Sequence, residues 1–211
     1  MKRLVSAPSR LLDPQLQAHL LRDQYGTFRL TRAIRPGLDL EIIPQAGYRL
    51  ELQQRPAPRL AASISAERLF DVFLDLLSLL GETVDVHVQS SHGNGRCHFV
   101  RRGLDRPVLM SYCVEFEELL LHDGCTGIVV IDPAQNQEVH FDEHKVIIIY
   151  SWGWEQFAQI FEQYGILRCD DLKLILEAVH YHCSRPEYAE RLKRFIHYLG
   201  AEAISGTVED V

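Results

Sequence analysis

The densest cluster of ionisable residues in the chain is His140-Phe-Asp-Glu-His144, where His140, Asp142, Glu143 and His144 fall within five positions. A carboxylate beside an imidazole is the minimal unit for general-base work, and both groups are ligands for divalent metals. Side chains on a strand point the same way at every second residue, so an extended segment here would align Glu138, His140 and Asp142. The candidate catalytic residues are therefore His140, Asp142, Glu143 and His144.

In form the segment matches the H-x-x-E-H spacing of inverzincin peptidases. That chemistry needs a helix, which lets two imidazoles four residues apart share a face and hold one zinc while the glutamate reaches the bound water. The flanks here are not helical: Glu138 to Phe141 alternates polar with apolar, and Val146 to Tyr150 is almost wholly β-branched. The match is expected to be accidental.

Other histidines offer weaker sets. His180, His182 and Cys183 invite a zinc reading with His197, but His197 falls about twelve residues into the next expected helix, roughly 18 Å from its start at 1.5 Å per residue. The hairpin residues His87, His92, Cys97 and His98 have no recognised ligand spacing. The carboxylates Glu67, Asp71 and Asp75 lack the Glu-x-x-His partner helix of a di-metal site and read as a solvated stripe. No metal ligand set and no cofactor are therefore expected. No Gly-rich phosphate loop and no nucleophile elbow occurs. The candidate binding residues are Arg101 and Arg102, in a basic patch beside Phe99, and Trp152 and Trp154, which flank Gly153 where a strand ends.

The elements that must position these residues begin with two apolar runs, Ile128–Ile131 and Val146–Tyr150, whose lack of polar alternation predicts strands buried on both faces. With Glu138–Phe141 between them, they form an expected antiparallel meander at the centre of a sheet. Earlier in the chain, Asp13-Pro14 opens a short helix to about Asp23. Extended segments are expected at Thr27–Ile34, Leu38–Ile43 and Tyr48–Gln53, with another short strand at Leu60–Ser63. A long helix follows from Ser65 to near Gly81, apolar round most of its circumference. A hairpin is predicted from Val84 through Asn94-Gly95 to Arg101, then a helix to about His122. Three C-terminal helices are expected, at Gly153–Tyr164, from Asp170 past Val179, and from Ser184 to Leu199, the last opened by a Ser184/Glu187 capping box. Residues 1–12 and 201–211 read as loosely held ends.

The 211 residues carry a net charge of −7, which makes nucleic acid an improbable partner for the whole molecule. Residues 1–106 hold 15 Lys+Arg against 11 Asp+Glu, or +4, and residues 107–211 hold 7 against 18, or −11. Halves of opposite sign suit docking to a protein partner or to another copy. Five cysteines with no C-x-x-C pair predict reduced thiols rather than a disulfide framework or zinc ribbon. No window is long enough for a membrane helix and no signal-peptide core is present, so the chain is expected to be cytoplasmic.

The expected fold is α+β: a mixed, largely antiparallel sheet packed against long helices, with an N-terminal β-meander (residues 1–59) joined to an α+β core with a helical C-terminal cap (residues 60–211). The sequence leaves function open. The leading expectation is a non-catalytic cytosolic module that binds a protein partner or itself; the alternative is a metal-dependent hydrolase centred on His140–His144.

Overall fold

Apolar runs without alternation become strands only where both faces are covered, and β-branched side chains favour that extended backbone. In a computed structural model of the chain, residues 13–52, 57–93 and 95–204 are described in full and residues 2–5 as backbone. In order the elements are β1 (Lys2–Val5), α1 (Pro14–Leu21), β2 (Gln24–Tyr25), β3 (Phe28–Arg29), β4 (Ile34–Pro36), β5 (Gly47–Glu51), β6 (Arg59–Ser63), α2 (Ala66–Ser78), β7 (Thr83–Ser90) and β8 (Cys97–Asp105). There follow α3 (Arg106–Glu115), α4 (Glu117–His122), β9 (Thr126–Asp132), β10 (Gln137–Phe141), β11 (Val146–Tyr150), α5 (Trp154–Gln163), a 3-10 turn at Ile175–Glu177, β12 (His180–Cys183), α6 (Pro186–Leu199) and β13 (Glu202–Ala203).

The protein is α+β. Eight strands form one sheet in the order β13-β8-β7-β9-β10-β11-β6-β5, antiparallel at every pairing, with the β9-β10-β11 meander at its centre. The sheet runs across residue 59, because β5 pairs with β6. A second sheet of three strands, β1-β12-β4, contains the parallel pairing, between β1 and β12.

The two faces of β11 explain its composition. Ile147 and Ile149 enter the main core with Phe73 and Leu76 of α2, while Val146 and Ile148 enter a second core with Ile34, Leu172 and Leu174. Helix α2 buries Leu69, Phe70, Val72, Phe73, Leu76 and Leu77, and Phe73 meets Phe141 of β10 edge-on at 4.9 Å between ring centroids. Helices α3, α4 and α5 pack against α2, α6 packs on α3 and α4, and all share the main core.

Several local expectations are corrected. Residues 38–43 alternate like a strand but form turns, with Leu40 at φ +47° and Ile43 exposed. No strand among the described residues pairs with them: Gly37 N–H donates to Val179 O, and Leu40 N–H turns back to Gly37 O. Residues 27–34 give the short β3, a turn and the first residue of β4 instead of one strand. Ser65 stands at the N-cap of α2, but its hydroxyl makes no capping bond, accepting instead from Arg29 N–H and donating to Glu67. The expected helix from Asp170 is a turn, the 3-10 segment and the strand β12. Arg49 takes Leu172 O at 2.6 Å and pairs with Glu177, which ties this segment to the sheet edge instead of to its own next turn. Helix α6 starts at Pro186 with no side-chain cap. Of the expected loose ends, β1 and β13 pair into sheets, and residues 6–12 and 205–211 lie outside the described residues. No helix among the described residues is long and apolar enough to cross a membrane.

Candidate metal centre

Alternation along β12 puts His180 and His182 on one side and Tyr181 and Cys183 on the other. The histidine side meets the turn that joins β10 to β11. There Asp142 N–H bonds Val146 O and Lys145 N–H bonds Asp142 O, closing a turn in which Lys145 takes φ +60°. The turn projects His144 onto the two rings of β12. Ring centroids are 4.8 Å apart for His144 and His180, 4.8 Å for His144 and His182, and 5.0 Å for His180 and His182. One ring nitrogen of each lies within 4.8 Å of the other two.

What surrounds the rings fixes which nitrogen faces inward. Nδ1 of His180 lies 2.8 Å from Ala178 O, Nδ1 of His182 contacts Gly124 O, and Nδ1 of His144 contacts the Asp142 carboxylate. Carbonyls and carboxylates only accept, so each Nδ1 is the donor there, and in a neutral ring Nε2 is the nitrogen that presents a lone pair. Nε2 of His180 and Nε2 of His182 stand 3.1 Å apart, so two neutral rings in this tautomer would face each other lone pair to lone pair. Such a pair needs positive charge between its members, from a proton or from a metal ion. Two imidazoles on a tetrahedral zinc, each at about 2.0–2.1 Å, have nitrogens about 3.3–3.4 Å apart, close to what these two rings already show.

The supports match those of metal-bound histidines, whose second nitrogen is ordinarily held by a carboxylate or carbonyl. Burial pushes the Asp142 carboxyl up, but the hydrogen bond and charge of His144 prevail and hold it at about 2. The neighbouring Lys145 amine is buried and donates to Thr126 O at 2.8 Å; burial lowers it to about 8 against the attraction of Asp123 and Asp142. His180 and His182 are 4% and 0% exposed, and His144 is the ring nearest solvent, lining a cavity of about 20 Å³ with Phe28, Thr31 and Lys145. That volume holds about one water.

Gly124 is the close-packed point behind His182. A Cβ there would lie 2.4 Å from Ala33 O and 2.9 Å from Cys183 O, so only glycine lets the loop before β9 offer its carbonyl to the ring. On either side of it His92, Asp123 and Cys125 form a second cluster. The Asp123 carboxylate is already occupied there, accepting from Thr126 Oγ1 at 2.5 Å and from Cys125 N–H at 3.2 Å, with His92 Nε2 at 2.8 Å.

Of the catalytic candidates the structure brings His144 and Asp142 to this centre, and of the set His180, His182, Cys183 and His197 it brings the first two. His140 lies apart on β10, against Glu138 at 2.8 Å and the Tyr150 ring at 5.3 Å. Glu143 accepts from Ser91 Oγ at 3.2 Å and faces Arg96 at 3.7 Å. His140–His144 spans a strand end and a turn, as the flanks require, so no helical H-x-x-E-H face exists. Arg101 and Arg102 are exposed on β8, Trp152 is 65% exposed, and Trp154 is half-buried against the main core. The expectation that the chain holds no metal ligand set did not foresee a triad of His144, His180 and His182. It rested on His197, which is exposed on α6 and takes no part. The signal in the sequence was His-x-His, which shares a face on a strand and does not on a helix.

Compared with protein-family models, with curated proteins and with solved structures, the chain matches none of them.

Proposed function

We propose that the protein binds a divalent transition metal, zinc or a metal of similar ligand preference, through His144, His180 and His182. Imidazole donors suit zinc, copper, iron and nickel and disfavour magnesium and calcium. The observation that carries this reading is the approach of the His180 and His182 Nε2 atoms to 3.1 Å while both Nδ1 atoms are turned to carbonyls. Asp142 supports it by orienting His144.

The test is the metal content of the purified full-length protein by plasma mass spectrometry, followed by zinc titration of protein stripped with chelator. One equivalent per chain, lost in His144→Ala and His182→Ala and kept in His140→Ala, is the expected result. Folded protein that takes up no zinc, copper, nickel or iron would overturn the proposal and leave the cytosolic interaction module as the better reading.

A second reading, metal-assisted hydrolysis, is favoured by the number of donors and by the cavity beside His144. Structural zinc sites are closed by four protein ligands, whereas catalytic sites use three and keep a position for water. This reading retains the hydrolase alternative but moves it from His140–His144 to His144, His180 and His182.

A further inference from the structure

On the opposite side of β12 from the histidines lies a cleft of about 430 Å³, lined by Arg32, Arg35, Arg185, Tyr188 and the apolar Leu20 and Leu21, among others. Arg35 is paired across the sheet with Tyr181, which faces away from His180 and His182. It is 5% exposed, yet no carboxylate among the described residues reaches ion-pair distance of it. Its Nε donates to Leu20 O at 2.8 Å, and its Nη1 to Thr31 O at 2.5 Å and Ile34 O at 2.7 Å. Those bonds fix the guanidinium plane in the wall of the cleft. A buried charge held by neutral carbonyls alone is costly, and such groups in folded proteins are normally paired.

Two further guanidiniums converge on the same space. Arg32 is paired with Glu118, which also accepts from Tyr188 OH at 2.9 Å, so one carboxylate is shared between two donors. Among the described residues Arg185 has a loose ion-pair contact, to Glu187 at 3.6 Å. The acid in the lining itself is Asp23, against three arginines. Planar forks of this kind match carboxylate and phosphate oxygens two at a time.

We propose that this cleft binds a small organic anion, a carboxylate or phosphate group on an apolar body, with the anionic end at Arg35, Arg32 and Arg185 and the body against Leu20 and Leu21. The volume suits a compact ligand. The site is separate from the metal centre and does not depend on it.

Calorimetric titration of the full-length protein with phenyl phosphate and with benzoate tests this, with inorganic phosphate and benzyl alcohol as controls. Saturable binding of phenyl phosphate or benzoate, no binding of benzyl alcohol, and affinity falling about tenfold or more in Arg32→Gln and in Arg185→Gln are expected, since each removes a charge-assisted bond. Both variants alter exposed side chains and leave the core intact, whereas Arg35→Gln is kept as a secondary variant. Which of the two probes binds more tightly distinguishes phosphate from carboxylate. Chelator-stripped protein and His144→Ala should bind equally well. Absence of saturable binding, binding indifferent to Arg32 and Arg185, or binding that vanishes with the metal would each overturn the proposal.

Discussion

Nδ1 of His182 is held by the carbonyl of Gly124, a residue 58 positions away whose backbone is packed so closely on Ala33 and Cys183 that a Cβ would collide with both. Gly124→Ala must therefore move the loop and with it the acceptor that orients the ring. A stability loss of about 1–3 kcal/mol and zinc affinity lower by about 10–100-fold are expected, read by urea denaturation and by competition with a chelating indicator.

Asp142 contacts His144 twice, through the ring Nδ1 and through the backbone N–H at 2.8 Å. Asp142→Ala releases the ring without removing a donor from the metal. Zinc affinity should fall by about 10–100-fold with stoichiometry unchanged, whereas His144→Ala should abolish stoichiometric binding. Equal effects of the two would show that Asp142 does more than orient.

His122, half-buried at the end of α4, accepts from Arg32 N–H at 3.1 Å. Burial first, and then the Arg32 charge, lower its pKa to about 4, against about 6.5 in an unfolded chain. Below about 6.5 the unfolded chain takes up a proton that the folded one refuses, so stability present above that pH is lost as pH falls toward 4. The loss amounts to up to about 3 kcal/mol, and His122→Gln should flatten the stability profile between pH 6.5 and 4. An unchanged slope would contradict the assignment.

Phe73 is fully buried between α2 and the sheet, against Phe141. Phe73→Ala should cost about 3–5 kcal/mol in chemical denaturation, while Asp71→Ala on the exposed stripe of the same helix should stay within about 0.5 kcal/mol.

The elements legible in the sequence were those whose local pattern and tertiary role agree. Val146–Tyr150 is apolar throughout because β11 lies between two cores, and α2 is apolar round most of its surface because the sheet and α3, α4 and α5 enclose it. Residues 170–179 misled because Leu172, Ile175, Leu176 and Val179 have helical spacing. Yet Leu172, Leu174 and Ile175 are buried under β6 and β11, with Arg49 gripping Leu172 O and Glu177. That misreading hid the centre. On a helix His180 and His182 diverge, on a strand they align, and their third partner, His144, is brought to them only by the packing of the second sheet on the β10–β11 turn.

X-ray absorption at the zinc edge of the metal-loaded protein tests the central claim most directly. Three imidazole nitrogens at about 2.0–2.1 Å, with one light-atom donor completing the shell and no sulfur, are predicted. A sulfur scatterer at about 2.3 Å would move the metal to His92, Asp123 and Cys125 and contradict the assignment to His144, His180 and His182.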